Sequence, residues 1–365
     1  MSLYLKLQLL YLLASGGFVL PVALIGLRVL PRRSFLRHAV LVGWAGFVAA
    51  VGLVLGVVPS FGAVAFTFYG AFLWAPVTSL LAGLARGKPW RSSAPTIALA
   101  LASLLVAVYA AFVEPNRLQV REHRLAFEAW PADAEPIRIV HVSDLQTVGE
   151  CEREREAARR INALEPDFVV FTGDYAAGPF GAEPCPAIAA ARKFLSELEP
   201  RIATIVVMGH SETEWERSQI FDGLDLTYLV NETETFELPD GRELWFLGLH
   251  SWHGRENYRP LTSPREPGAL RVVVSHVPDV TTRMEDRDLD LHLAGHTHGG
   301  QIVVPFFGPP ITLSRLPRRY ARGLHRFGDH WLNVCAGLGM EGNHAPRIRF
   351  LCPPEIVLLE LVGEE

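Results

Sequence analysis

Apolar residues are distributed along this chain in two unlike ways. Leu7 to Leu27 contains no charged residue, nor does Ala39 to Ala85, which is interrupted only near Pro59-Ser60, nor does Ser92 to Val113. A helix that crosses the hydrocarbon of a bilayer needs about 20 apolar residues. The pattern therefore predicts about four transmembrane helices within residues 1–114, the middle run supplying two that are joined by a turn at Val58–Gly62. Pro21 and Pro76 fall inside spans, which membrane helices tolerate. A signal peptide would explain the first run alone.

Beyond a linker at residues 115–135 the pattern changes to short apolar runs alternating with amphipathic ones. Ile137–Ser143, Asp167–Phe171 and Ala203–Met208 read as strands. Glu152–Leu164 and Pro186–Leu198 read as helices, with Pro186 suited to a first turn. This βαβαβ order implies a largely parallel core. Later strands are expected at Glu232–Leu238, Glu243–Leu249, Arg271–Ser275, Leu289–Ala294, Trp331–Val334 and Glu355–Leu361. Pro239-Asp240-Gly241 marks a hairpin between the first two of these. The class is α/β, a sandwich of two sheets with helices outside, over residues 136–365.

Basic residues orient the apolar third. Arg28, Arg32, Arg33 and Arg37 follow the first span, and Arg86, Lys88 and Arg91 follow the third, while the turn between spans two and three has none. By the positive-inside rule both basic loops are cytoplasmic. That expectation makes the chain multi-pass, with its C-terminal domain on the extracytoplasmic side, although Arg117, Arg121 and Arg124 after the fourth span count against it. The spans hold almost no charge, so no ion path is evident and they read as an anchor. Gly52 and Gly56 have the spacing that lets helices approach closely.

The formal net charge of -5 argues against nucleic acid as a partner, because such binding relies on clustered Lys and Arg. Cys151, Cys185, Cys335 and Cys352 form no CxxC pair, which excludes a zinc cluster of that type and leaves disulfides open.

Polar residues collect where strands end. Asp144, Asp174, His210, His276, His296 and His298 each lie just past an apolar run. Ligand sites of α/β sheets lie beyond the carboxyl ends of strands. Two cations roughly 3.5–4 Å apart can clamp a phosphoryl group and ionise a water, and they need a bridging carboxylate with oxygen and imidazole ligands around it. Asp174 is the natural bridge. Gly295-His-Thr-His-Gly-Gly300 lets backbone approach such a pair, and His296 and His298 can both reach one cluster. His141 and His292, within strands, read as packing.

These residues resemble the calcineurin-like metallophosphoesterases, whose motifs run Asp-x-His, Gly-Asp, Gly-Asn-His-Glu/Asp, His and Gly-His-x-His. The chain has Asp144-Leu-Gln146, Gly173-Asp174, Gly209-His-Ser-Glu212, Ser275-His276 and Gly295-His-Thr-His298, in that order over residues 136–362. Pro305–Pro310, Tyr320–Gly323 and Pro353–Leu358 look like the membrane-anchored branch of that family. The resemblance implies a four-layer αββα sandwich and two divalent metal ions, manganese, iron or zinc. By position, Asp144, Gln146, Asp174 and His298 would hold the first metal, and Asp174, His210, His276 and His296 the second.

Two positions depart from the family. Gln146 stands where His is usual, and an amide oxygen still suits a hard cation. Ser211 stands where the family has its catalytic His, and a hydroxyl cannot be the acid near neutral pH. A local slip could give that role to His210, or it could come from His250 or His253, which follow the strand Glu243–Leu249. The expected function is a membrane-tethered phosphoester hydrolase, a phosphodiesterase or phosphatase acting through a metal-activated water. Its partners would be the lipid bilayer and a small-molecule or lipid-linked phosphoester. The alternative is a degenerate member that senses or binds.

Overall fold

The computed structural model describes residue 98 and residues 101–177, 185–250, 268–284, 289–341 and 347–364. The first three expected spans, most of the fourth expected span before residue 101, and His253 lie outside these residues. No helix among the described residues is long and apolar enough to cross a membrane. Residues 101–108 are helical and run into a π-helical turn over Tyr109–Val113. Leu105 and Phe112 of this stretch are about seven-tenths exposed, at 69% and 71%.

The unit that starts at Glu114 contains two six-stranded sheets. The first has strand order β1-β12-β2-β3-β4-β5. Its strands are β1 (Gln119–Phe127), β2 (Ile137–Val142), β3 (Phe168–Phe171), β4 (Ala203–Val206), β5 (Thr227–Tyr228) and β12 (Glu355–Gly363). From β2 to β5 the neighbours are parallel, while β12 runs antiparallel to β2 and parallel to β1. The second has order β10-β11-β9-β8-β7-β6. It comprises β6 (Glu232–Glu237), β7 (Glu243–Leu249), β8 (Leu270–Ser275), β9 (Leu291–Ala294), β10 (Gly323–Phe327) and β11 (His330–Val334). Here β7, β8, β9 and β11 are parallel, and the two edge strands are antiparallel.

Period-2 alternation explains the layers. In β2 and β3, Val140, Val142, Val169 and Phe171 face helices α1 (Glu152–Ala163) and α2 (Pro186–Ser196) through Ala157, Ile161, Ala191 and Phe194. Their neighbours Ile139, Phe168 and Val170 face the other way, onto Phe246, Val272 and Leu291 of the second sheet. The outer face of the second sheet is covered, among the described residues, by Val280 and Met284 of a 3-10 segment rather than by an α-helix. The described layers are therefore helix, sheet and sheet, in the expected order, and residues 251–267, which connect β7 to β8, lie outside the described residues.

Two differences have plain causes. Residues 115–135, expected to be a linker, contain β1, whose alternation is hidden because Arg121 and His123 stand on the same face as the buried Leu125 and Phe127. A helix not expected from the sequence, α3 (Glu214–Phe221), is short and weakly amphipathic. It starts in a capping box in which Thr213 accepts from the Glu216 N–H and Glu216 accepts from the Thr213 N–H. The four cysteines are free.

Candidate metal centre

Every candidate ligand sits on a loop leaving the carboxyl end of a parallel strand. The loops after β2 and β3 continue pairing past the strands, with the Asp144 N–H donating to the Gly173 carbonyl at 2.9 Å and the Gln146 N–H to the Asp174 carbonyl at 3.0 Å. The second sheet joins in the same way, the Gly295 N–H donating to the His276 carbonyl at 3.0 Å. Glycine is required where the loops cross. A Cβ on Gly209 would overlap the Asp174 carboxylate, and one on Gly295 would overlap the Ser143 hydroxyl.

Five ligand candidates that are not glycine adopt left-handed backbone: Asp144 (φ 48°), Gln146 (37°), Asp174 (59°), His296 (70°) and His298 (49°). Such residues are uncommon and concentrate at functional sites, where surrounding structure holds the strain. Tight turns are what aim these side chains inward.

Two subsites result. Asp144, Asp174 and His276 bring one ligand atom each within 4.8 Å of one another, and so do His210, His276 and His296. His298 Nε2 lies 3.3 Å from Asp144 Oδ1, and Gln146 Nε2 donates to Asp174 Oδ2 at 3.0 Å. All seven predicted metal ligands are thus in one cluster, the first four around Asp144 and the histidines around His276. Asp174 touches both, because its Oδ2 is 3.4 Å from His276 Nε2 and its Oδ1 accepts from the N–H groups of His210 and Ser211.

Electrostatics follow from burial. Burial pushes the Asp144 carboxyl up to about 7. Burial acts the same way on Asp174, but the rings of His276, His210 and His296 outweigh it and hold that carboxyl well below the usual range. Burial disfavours charge on His276, yet the Asp174 carboxylate reverses the balance and lifts the ring to about 10. Burial, with His276 and His210 next, lowers His296 to about 3. Burial and then Arg349 hold His298 well below its normal value. His296 and His298, held neutral, and the ionised Asp174 carboxylate are donors that suit a divalent cation. The fit is supported by orphaned atoms: Asp144 Oδ1 and both ring nitrogens of His298 are buried without a hydrogen-bond partner. His276 is oriented by its Nδ1, 2.7 Å from the Thr172 carbonyl, which leaves Nε2 facing the carboxylates.

A cavity of about 350 Å³ opens over the histidine subsite, with His210, His250, Ser275 and His296 in its wall. Arg283 and Arg315 line it as well, as do Leu249, Val277 and Leu313. Ser211 is not in the wall; its hydroxyl donates to Glu212 at 3.2 Å. Glu212 in turn accepts from the N–H groups of Tyr175 and Ala176, and burial, then the Asp174 charge, push it up to about 8.

The comparisons with known proteins agree with this geometry. Residues 137–300, which span both carboxylates and the whole histidine turn, match the family described as calcineurin-like phosphoesterase. Over those residues the chain carries a calcineurin-like phosphoesterase domain. It is similar to an uncharacterised metallophosphoesterase, YkuE, of Bacillus subtilis, 28% identical over 260 residues, covering 69% of this chain and 88% of the relative. Phosphodiesterase YaeI of Escherichia coli is 28% identical over 263 residues, 70% of this chain and 92% of its own length. UDP-2,3-diacylglucosamine pyrophosphatase LpxG of Chlamydia trachomatis is 25% identical over 314 residues, 72% of this chain and 95% of its own. The relatives named for an activity are hydrolases, a phosphodiesterase and a pyrophosphatase, and the matched domain of this chain is of the hydrolase kind.

Several residues of the metallophosphoesterase site were not legible beforehand. Arg349 is fully buried and donates to the carbonyls of Gly339, Gly337, Ala336 and Cys352 and, at 3.4 Å, to that of His298, tying the loop that carries His298 to the two loops beside it. Nothing in Arg347-Ile-Arg349 distinguishes it from a solvated segment. Arg283 and Arg315 belong to the cavity only through tertiary folding. His250, by contrast, follows a strand as the ligands do, and that was its signal.

Proposed function

We propose that this chain is a membrane-tethered, two-metal hydrolase of a phosphodiester or diphosphate linkage in an amphiphilic substrate, working on the extracytoplasmic side. The observation that carries the reading is the cluster of seven ligand candidates opening into a cavity walled by both arginines and leucines. Asp144, Gln146, Asp174 and His298 would hold one metal, and Asp174, His210, His276 and His296 the other. A metal pair there would polarise the phosphoryl oxygens and ionise an attacking water.

The chain's own groups supply the rest. Asp174 Oδ1, held by two backbone N–H groups, fixes the carboxylate shared by both subsites. The Thr172 carbonyl keeps the proton of His276 on Nδ1. Arg283 and Arg315 sit where a second phosphate would lie, and guanidinium suits bidentate phosphate contacts. Leu249, Val277 and Leu313 offer apolar wall to the non-phosphate part. With Ser211 turned onto Glu212, His250 is the group on the wall that gives the leaving oxygen its proton. One relative is named for a pyrophosphatase acting on a diacylated UDP-sugar, which supports a lipid-linked diphosphate here. The tether rests on the uncharged runs before residue 114 and on the exposed apolar residues Leu105 and Phe112.

The test uses the full chain in detergent, loaded with manganese, with bound metal counted and hydrolysis of an aryl phosphodiester and a lipid diphosphate followed. Two metals per chain and turnover that Asp174→Asn abolishes are the expected results. A full metal complement without turnover on either substrate would instead favour a binding or sensing domain, the reading that Ser211 supports. Retention in the membrane pellet after alkaline extraction tests the tether, and protease protection of the C-terminal domain in sealed vesicles tests its side.

A further inference from the structure

The metal-binding turn is followed at once by a protruding aromatic hairpin. Val303 N–H donates to the Phe350 carbonyl at 2.9 Å, which pins the base. Val304 and Gly308 exchange two backbone bonds, at 3.0 and 2.9 Å, and close the tip. Between them Phe306 adopts φ 65°, a conformation that bulky residues seldom take, and its ring is wholly exposed. Phe307 is 57% exposed and Val304 41%. The hairpin is also rooted in the site: a Cβ on Gly300 would overlap the Pro309 ring.

Basic residues stand beside it. The Arg318 guanidinium lies 4.3 Å from the centre of the Phe307 ring. Arg319 donates to the Tyr320 hydroxyl at 3.1 Å, and Arg315 gives only its backbone N–H to Asp279. Among the described residues none of these three guanidinium groups makes an ion pair.

We infer that this hairpin inserts Phe306 and Phe307 into the interface of a bilayer, with Arg318 and Arg319 on anionic lipid headgroups. Three observations choose the occupant. Aromatic tips flanked by arginine have the chemistry of that interface, apolar below and anionic above. A stable protein interface needs about 800 Å² of matched surface per partner, whereas this feature is a narrow protrusion that suits a fluid partner. Phe306 is held outward against its backbone preference and is wholly exposed among the described residues. The contact is separate from the N-terminal tether and from hydrolysis itself. Because Leu313 and Arg315 also line the cavity, it would bring the cavity wall to the lipid surface.

The test places photo-reactive p-benzoylphenylalanine at Phe306 of the full chain in phosphatidylcholine vesicles, with and without phosphatidylglycerol. The control position is Ile202, an apolar residue 39% exposed just before β4, at the opposite ends of the strands from the metal centre. Lipid adducts several-fold above the control, increased by phosphatidylglycerol and reduced by Arg318→Gln with Arg319→Gln, are the expected result. Adducts to protein instead of lipid, or lipid labelling equal at the two positions, would overturn the inference. Labelling indifferent to phosphatidylglycerol would overturn its headgroup half. Alkaline extraction of the same samples reads the tether independently.

Discussion

Asn333 and His141 meet in the buried interior, with Asn333 Nδ2 2.7 Å from His141 Nδ1. The other ring nitrogen is 3.1 Å from the Thr172 hydroxyl, and the carbonyl of that threonine faces His276 Nδ1 at 2.7 Å. A polar line thus runs from β11 through β2 to a metal-binding ring. Asn333→Leu breaks its first link and leaves a buried imidazole nitrogen unpaired. The expected cost is about 1–3 kcal/mol of stability. Metal affinity should fall about 10-fold, the lower end for a group that acts through a ligand. A melting curve and a metal titration of the same preparation check both.

His141 and His292 give the stability a pH dependence. Burial lowers each to about 3, against about 6.5 in an unfolded chain. Between those values the unfolded state binds more protons, so stability is complete above about 6.5 and is lost as pH falls toward 3. Each ring contributes a slope of about 1.4 kcal/mol per pH unit in that window. Asp144, lifted to about 7, acts with the opposite sign, and it cancels when wild type is compared with His292→Leu. Denaturation midpoints at pH 5 and pH 8 should differ less in the variant; an unchanged difference would show that His292 is not held neutral.

Three substitutions around the missing acid separate its possible holders. Ser211→Ala should leave kcat within a few-fold, because the hydroxyl is occupied with Glu212. His210→Gln should lose metal, since the ring belongs to a ligand triad. His250→Gln should keep both metals and lose about 100-fold in kcat, the lower range for a positioned general acid. The ratio of bound metal to turnover in each variant decides the assignment.

Arg349 is expected to tolerate no replacement, lysine included. Its Nε and Nη2 both donate to the Gly339 carbonyl, at 2.9 and 2.6 Å, and other bonds reach Ala336, Gly337 and Cys352. A single ammonium cannot reproduce that fork. Each carbonyl left bare costs about 1–3 kcal/mol, so Arg349→Lys should lower stability by roughly 3 kcal/mol, read as a falling melting midpoint.

Periodicity made the sheets legible. β7 was expected at Glu243–Leu249 and is found there, and the starts of β2, α1 and α2 also agree. These elements bury a regular face, and the pattern records it. Polar residues at strand ends marked Asp144, Asp174 and the histidines because the strands that precede them are uniformly apolar. Edge strand β1 and helix α3 were missed, since β1 mixes charged and apolar residues on one face and a two-turn helix carries little periodicity. Arg349, Arg283 and Arg315 were missed for another reason: their partners are backbone atoms or a cavity assembled from distant segments, and no local pattern encodes those.

The left-handed turns that hold Asp144, Gln146, Asp174, His296 and His298 act as a filter on sequence drift. A β-branched residue is excluded from such a turn by its backbone before its chemistry is ever tried, whereas Asn and Gly are admitted. Loss of function in this lineage of sites would therefore begin with Asp-to-Asn or His-to-Asn replacements that keep the shape of the loops. The outline of the centre can outlast its reactivity, and a chain with every turn in place still has to be assayed residue by residue.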